Sequence, residues 1–306
     1  MKKLTRKITL SLVAILFAVI ALGTTTYAWF TLGTTATVSS IDGQVKAAEG
    51  IEVSLDSDAS KRQWSNVIKF DASTKLSYNN QEINRSNVLL QDLALTNDKT
   101  KGLVFNGVDE QPTAANSAYL AFDLFVRVNG DFTEKSKDIQ ITNLNITSDT
   151  FDFTADVDTD AWNKGTQYNL DASNAARVSF SKLTKDDTAT TYTEEYKVTY
   201  AKASEATSKA ETNFNGGNDS QDGLAKQYVD AKGFDTKNLF TNYNNYDHEI
   251  KNVTDATSLH SYSTNVVDDV TIYRVYIWLS GFDGDCVNAI LGKKITVSFN
   301  LVLAGE

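Results

Sequence analysis

The chain has 306 residues, 41% hydrophobic and 22% charged, with 29 basic against 39 acidic side chains and a net charge of −10. That acidic surplus argues against nucleic acid and anionic lipid surfaces as partners, which both require cationic footprints. A single cysteine, Cys286, excludes an intrachain disulfide, and a chain of this length buries a core without one.

The chain opens on a basic head, Lys2, Lys3, Arg6 and Lys7, then a 16-residue apolar run over 8–23, then the small-x-small site Thr26-Tyr27-Ala28. This is the layout of a secretory signal helix cleaved after Ala28, with Ala21-Leu22-Gly23 as a competing site. A retained anchor is the other reading, since no charge stands between Lys7 and Asp42 and about 20 apolar residues cross a bilayer. The short apolar run, interrupted at Thr24 to Thr26, favours a cleaved peptide over 1–28 that touches the membrane only before cleavage. Cleavage removes four cationic residues and no acidic one, taking the net charge from −10 to −14. A secreted chain this poor in cysteine suits a Gram-positive-type bacterium, and "SFNLVLAGE" at the C-terminus carries no sorting motif.

After Ala28, "WFTLGTTATVSS" is uncharged and rich in β-branched residues. It is long enough for a strand but has no core of its own. Such a segment over 29–45 either completes a neighbour's sheet or folds back as the first strand of its own sandwich. The next strands expected are "GIEVSLD", "AYLAFDLFVRVNG", "DIQITNLNIT", "FDFTADVD", "ARVSFSKL" and "EEYKVTYAK". In the second of these Leu120, Phe122, Leu124, Val126 and Val128 form one face, and Tyr119, Ala121 and Phe125 make the other apolar too, which predicts a central, doubly covered strand. Residues 201–265 break the pattern: "SKAET" and "DGLAKQYVDAKG" read as helical and "NFNGGNDSQDG" as loop. This stretch is expected as a partly helical insertion within a domain over 50–306. "TIYRVYIWLSG" and "KKITVSFNLVLAG" close the chain with period-two alternation. Many short strands with little helix between them predict an all-β, antiparallel jelly-roll-type sandwich.

Enzyme signals are thin. His248 precedes Glu249 but no second histidine completes a zinc-protease helix, His260 is isolated, and no phosphate loop or nucleophile elbow occurs. The reading is a non-enzyme. Two oxygen-rich sets suit Ca²⁺. "DFTADVDTD", as a strand, would align Asp152, Asp156, Asp158 and Asp160 on one face, and "DGDCVN" groups Asp283, Asp285 and Asn288 in a tight turn. Solvated acidic side chains and simple turn caps are the competing explanations.

The basic head, the apolar run, "TTTYAWFT" with its aromatic pair, and the Thr/Ser-rich lead into "GIEVSLD" resemble the TasA/camelysin family of secreted biofilm-matrix proteins of Gram-positive bacteria, over roughly the first 55 residues. The resemblance implies a jelly-roll domain, processing by a dedicated signal peptidase, and head-to-tail self-assembly into extracellular fibres through an N-terminal donor strand. It makes Trp29, Phe30, Thr31, Val38 and Ile41 the expected assembly residues within the 29–49 segment. The metallopeptidase label in the family name is not carried over, because no zinc motif is present. The alternative is a monomeric surface adhesin, binding glycan or protein through Tyr228, Tyr243 and Tyr246 of the insertion.

Overall fold

The alternating runs become sixteen strands in the computed structural model, which describes residues 41–48, 50–71, 74–83, 92–93, 119–128, 136–159, 162–185, 192–202, 250–263, 270–280 and 293–304. In chain order they are β1 (Ile41–Ala47), β2 (Ile51–Ser54), β3 (Val67–Phe70), β4 (Leu76–Tyr78), β5 (Gln81–Ile83), β6 (Asp92–Leu93), β7 (Leu120–Val128), β8 (Ser136–Ser148), β9 (Thr150–Thr154), β10 (Gln167–Asp171), β11 (Ala176–Lys185), β12 (Tyr192–Ala201), β13 (Ile250–Asn252), β14 (Thr257–Ser263), β15 (Val270–Ser280) and β16 (Ile295–Leu303). No helix occurs among the described residues. The expected signal helix and the helical stretches of the insertion lie outside them.

Two sheets share one core. A five-stranded sheet runs β14-β8-β16-β1-β3, and a seven-stranded sheet runs β13-β12-β11-β15-β7-β2 with β6 paired to β15. Rings bridge the layers: Phe180 on β11 meets Phe299 on β16 edge-on at 5.0 Å, and Phe122 on β7 meets Phe70 on β3 at 5.4 Å. The expected alternation of β16 holds residue by residue, with Ile295, Val297, Phe299, Leu301 and Leu303 buried. β7 and β15 sit inside the larger sheet and are buried along both faces, which explains why both of their faces are apolar in sequence.

Three local features follow from particular residues. Asn79 and Asn80 both adopt left-handed φ (50° and 61°) and close the β4–β5 hairpin, the two-residue turn whose twist matches its strands. Asn143 (φ 49°) marks a bulge in β8, where the β16 pairing steps from Asn145 to Thr142 opposite Phe299. β9 and β10 form a separate ribbon whose Phe153 and Tyr168 pack around Trp162 at 4.9 and 6.5 Å.

The structure differs from the sequence reading in three places. The strand begun by "FDFTADVDTD" ends at Thr154, so Asp156 and Asp158 lie in the loop that follows and share no strand face with Asp152. Within the 201–265 span, β13 and the "TSLHSYS" strand β14 belong to the two sheets, because Leu259 is buried against the core while its neighbours pair with β8. And β1 joins the five-stranded sheet of its own chain, parallel to β16, against the expectation of an antiparallel fold throughout.

Candidate assembly site

The stretch "IDGQVKA" builds β1, with Gly43, Val45 and Ala47 on one face and the polar Gln44 and Lys46 on the other. All seven residues pair in parallel with Ile295 to Leu301 of β16, and residues 43–46 pair antiparallel with β3. The strand thus fills a slot in mid-sheet. Val45 is fully buried, which is worth about 1.5–3 kcal/mol. Backbone hydrogen bonds, each worth roughly 0.5–1.5 kcal/mol net, supply much of the rest.

Gly43 sits where the slot is narrowest. A Cβ placed there would lie 2.1 Å from Phe70 Cζ and 2.3 Å from the Val297 carbonyl oxygen, so the phenyl ring occupies the space a side chain would need. Phe70 faces Gly43 directly across the β1–β3 ladder and reaches on to Phe122 in the other sheet. Beyond β1 the chain turns sharply into the opposite sheet. Ala48 N–H donates to Leu301 O at 2.8 Å, Ile51 N–H donates to Ala48 O at 3.0 Å, and Gly50 takes φ +85°. That left-handed residue calls for glycine.

Two polar clusters lie elsewhere. On the outer face of the seven-stranded sheet, Asp123 of β7, Arg274 of β15 and Ser181 of β11 stand in one row. Arg274 Nε and Nη2 donate to Asp123 at 2.8 and 3.2 Å, Nη2 also donates to Asn79 Oδ1 at 2.6 Å, and its guanidinium lies 3.9 Å from the Tyr78 ring centroid. Tyr276 O–H donates to Glu194 at 2.8 Å, and Asn79 N–H donates to Asp123 at 2.9 Å. Burial works against the Arg274 charge, but the bonds and charge of Asp123 outweigh it and raise its pKa. Burial also raises the Tyr276 hydroxyl, so it stays a donor. Asp123, Arg274, Asn79, Tyr276 and Glu194 satisfy one another, while Ser181 Oγ is buried beside them without a hydrogen-bond partner among the described residues, and the result is a clamp that seats the β4–β5 hairpin on the sheet.

The second cluster ties the sheets together at one end of the sandwich. Asp171 accepts from Ser148 O–H (2.5 Å), from Ser173 N–H and O–H (2.9 and 2.7 Å) and from Lys202 Nζ (2.7 Å), while Lys202 also donates to Ser173 Oγ at 2.8 Å. Burial would raise the Asp171 carboxyl, yet the bonds from Lys202, Ser148 and Ser173 prevail and hold it below its usual pKa. A serine beside a lysine has the makings of a nucleophile and base. Here Lys202 is tied up by Asp171 at 2.7 Å and Ser173 is fully buried, so the set is structural. The same Asp-Ala-Ser turn recurs at Asp58, where Ser60 N–H and O–H both donate to the carboxylate and help to lower its pKa to about 2.

Of the expected site residues, Ile41 begins β1. Trp29, Phe30, Thr31 and Val38, the Ala28 cleavage site, and Asp283, Asp285 and Asn288 lie outside the described residues. Asp156 is exposed, and Asp158 accepts from Lys164 N–H at 2.7 Å. Among the described residues no three His, Cys, Asp or Glu side chains converge to hold a metal ion. Sequence reasoning passed over Gly43, Phe70, Asp123 and Arg274. The signals were a lone glycine inside an alternating run and charges inside two apolar strands, Asp123 with Arg127 in β7 and Arg274 in β15. Comparison with protein-family models, with curated proteins and with solved structures gives no match for this chain.

Proposed function

We propose that this protein is a secreted, jelly-roll-type structural subunit of an extracellular fibre or biofilm matrix, assembling head to tail by exchange of its N-terminal strand. The observation that carries this reading is the manner in which β1 is held. β1 lies inside a sheet, bonded on both edges, with Val45 fully buried. A strand bonded through its backbone on both edges can be replaced by an equivalent segment of another copy that offers the same backbone donors and acceptors. Donated from one copy to the next, such a strand makes an open, non-closing contact, and that geometry gives filaments. The resemblance of the first 55 residues to the TasA/camelysin family points the same way, as does the secretory layout of residues 1–28. The test is to secrete the full chain from a Gram-positive host, read the N-terminus of the recovered protein, and image it by negative-stain electron microscopy with and without Ca²⁺. Filaments are the expected result. Monodisperse particles at every concentration would refute self-assembly and favour the surface adhesin.

A further inference from the structure

The chain carries a net charge of −10, yet one edge of the sandwich is basic. Ser65 bridges to Val53 of β2, and Ala47 N–H of β1 donates to Asn66 O at 2.8 Å, so the end of the loop "KRQWSN" bonds to both sheets. On the outer face of the five-stranded sheet Lys46 stands opposite Val67 and Lys69 opposite Gln44. The two exposed lysines are thus diagonal neighbours, about 7–8 Å apart. On the other side of the edge, Arg127 of β7 and Arg62 of the loop lie against the ring of half-buried Trp64, at 4.5 and 5.6 Å from its centroid. Lys46, Lys61, Arg62, Lys69 and Arg127 share this region with Glu52, Asp56 and Asp58, which leaves a surplus of cations on an acidic chain.

Arg127 pairs with Glu52 at 2.7 Å and Lys61 with Asp58 at 2.9 Å, whereas Lys46, Lys69 and Arg62 have no ion pair among the described residues. Arg62 is held by neutral groups instead. Its Nε donates to Asp56 O at 2.8 Å and its Nη2 to Ser57 O at 3.1 Å, and the guanidinium lies 3.9 Å from the Phe125 ring centroid. Burial lowers its pKa, as befits a half-buried cation without a paired anion. We infer that this edge binds an acidic polysaccharide, a chain of sugar rings bearing carboxylates, with Trp64 against a ring and Arg62, Lys46 and Lys69 taking the carboxylates. The inference is independent of the fibre reading. Cations without partners call for an anion, and a fixed guanidinium fork matches the geometry of a carboxylate. A tryptophan ring beside the fork adds an apolar contact that a sugar ring uses and a bare phosphate polymer does not. The net charge does not forbid such a partner. The Debye length is about 8 Å at 0.15 M salt and about 30 Å at 0.01 M, against a radius of gyration of roughly 18 Å for a domain of this size. Near physiological salt the polymer therefore senses the edge it touches, and at low salt it is repelled by the acidic molecule as a whole.

The experiment titrates the full secreted chain against polygalacturonate by biolayer interferometry from low to high salt without divalent cations, with dextran and polyphosphate as comparison polymers. Polygalacturonate is expected to bind, most tightly near physiological salt, and dextran is expected not to bind. Lys46→Gln combined with Lys69→Gln removes two exposed contacts and is expected to weaken binding about three- to tenfold with an unchanged melting temperature. Trp64→Ala is expected to weaken polygalacturonate binding by a similar factor, about three- to tenfold. Equal binding by the parent and the lysine-pair variant, no binding at any salt, or tighter binding of polyphosphate would each overturn the inference.

Discussion

Replacing Gly43 by alanine adds one methyl group to the narrowest point of the five-stranded sheet. The added Cβ would stand 2.1 Å from Phe70 Cζ, 2.7 Å from Phe70 Cε1 and 2.3 Å from Val297 O, where carbon contacts normally settle at about 3.5–4.0 Å. Relief requires movement of well over an ångström in the ring. The carbonyl cannot retreat, since Val297 lies on β16 between β1 and Ile146 of β8. Overpacking a core costs about 1–3 kcal/mol, and a clash that includes backbone belongs at the top of that range. At ~3 kcal/mol a domain of this size loses about 6–12 °C in melting temperature. Calorimetry on the full secreted chain measures the loss, and amide exchange shows whether β1 alone loses protection. Phe70→Leu on the Gly43→Ala background should recover part of the loss, because it removes the ring clash and leaves the carbonyl one. A Gly43→Ala variant within about 0.5 kcal/mol of its parent would refute the placement of β1 in this slot.

Other consequences are open to measurement. Asp123→Leu leaves Arg274 buried beside an apolar group and should cost about 3–5 kcal/mol in urea titration, whereas Asp123→Leu with Arg274→Met should recover most of it. The folded pKa of Asp171 lies below its unfolded value near 3.9. Its carboxylate therefore stabilises the fold fully above that value, and the contribution disappears as pH falls through the folded pKa. Asp171→Asn should cost about 2 kcal/mol at pH 7 and flatten the fall in melting temperature below pH 4; equal slopes in the two proteins would contradict this. Asn143→Gly should stabilise by about 0.5–1 kcal/mol and Asn143→Val should destabilise, because the bulge holds position 143 at φ 49°.

The all-β character, the positions of β2, β7, β8, β9, β11, β12, β15 and β16, and the buried faces of β7, β15 and β16 were legible in the sequence, whereas the short strands β3 to β6, β10, β13 and β14 were not. Each depends on a period of two in side-chain polarity, and burial on one or both faces stamps that period directly onto the residues. Lone glycines and lone charges were visible too, but their partners were not. Gly43 acquires meaning only when Phe70 lies across from it, and Asp123 only when Arg274, 151 residues away, is brought beside it. Pairing between strands is a choice among edges that look alike in sequence, since backbone donors and acceptors are the same everywhere. Tertiary structure alone therefore placed β1 in parallel between the C-terminal strand and β3, set β13 and β14 into the sheets, and ended the acidic strand at Thr154. Local alternation decided which residues face inward, and the closure of two sheets on one core decided which of those faces meet.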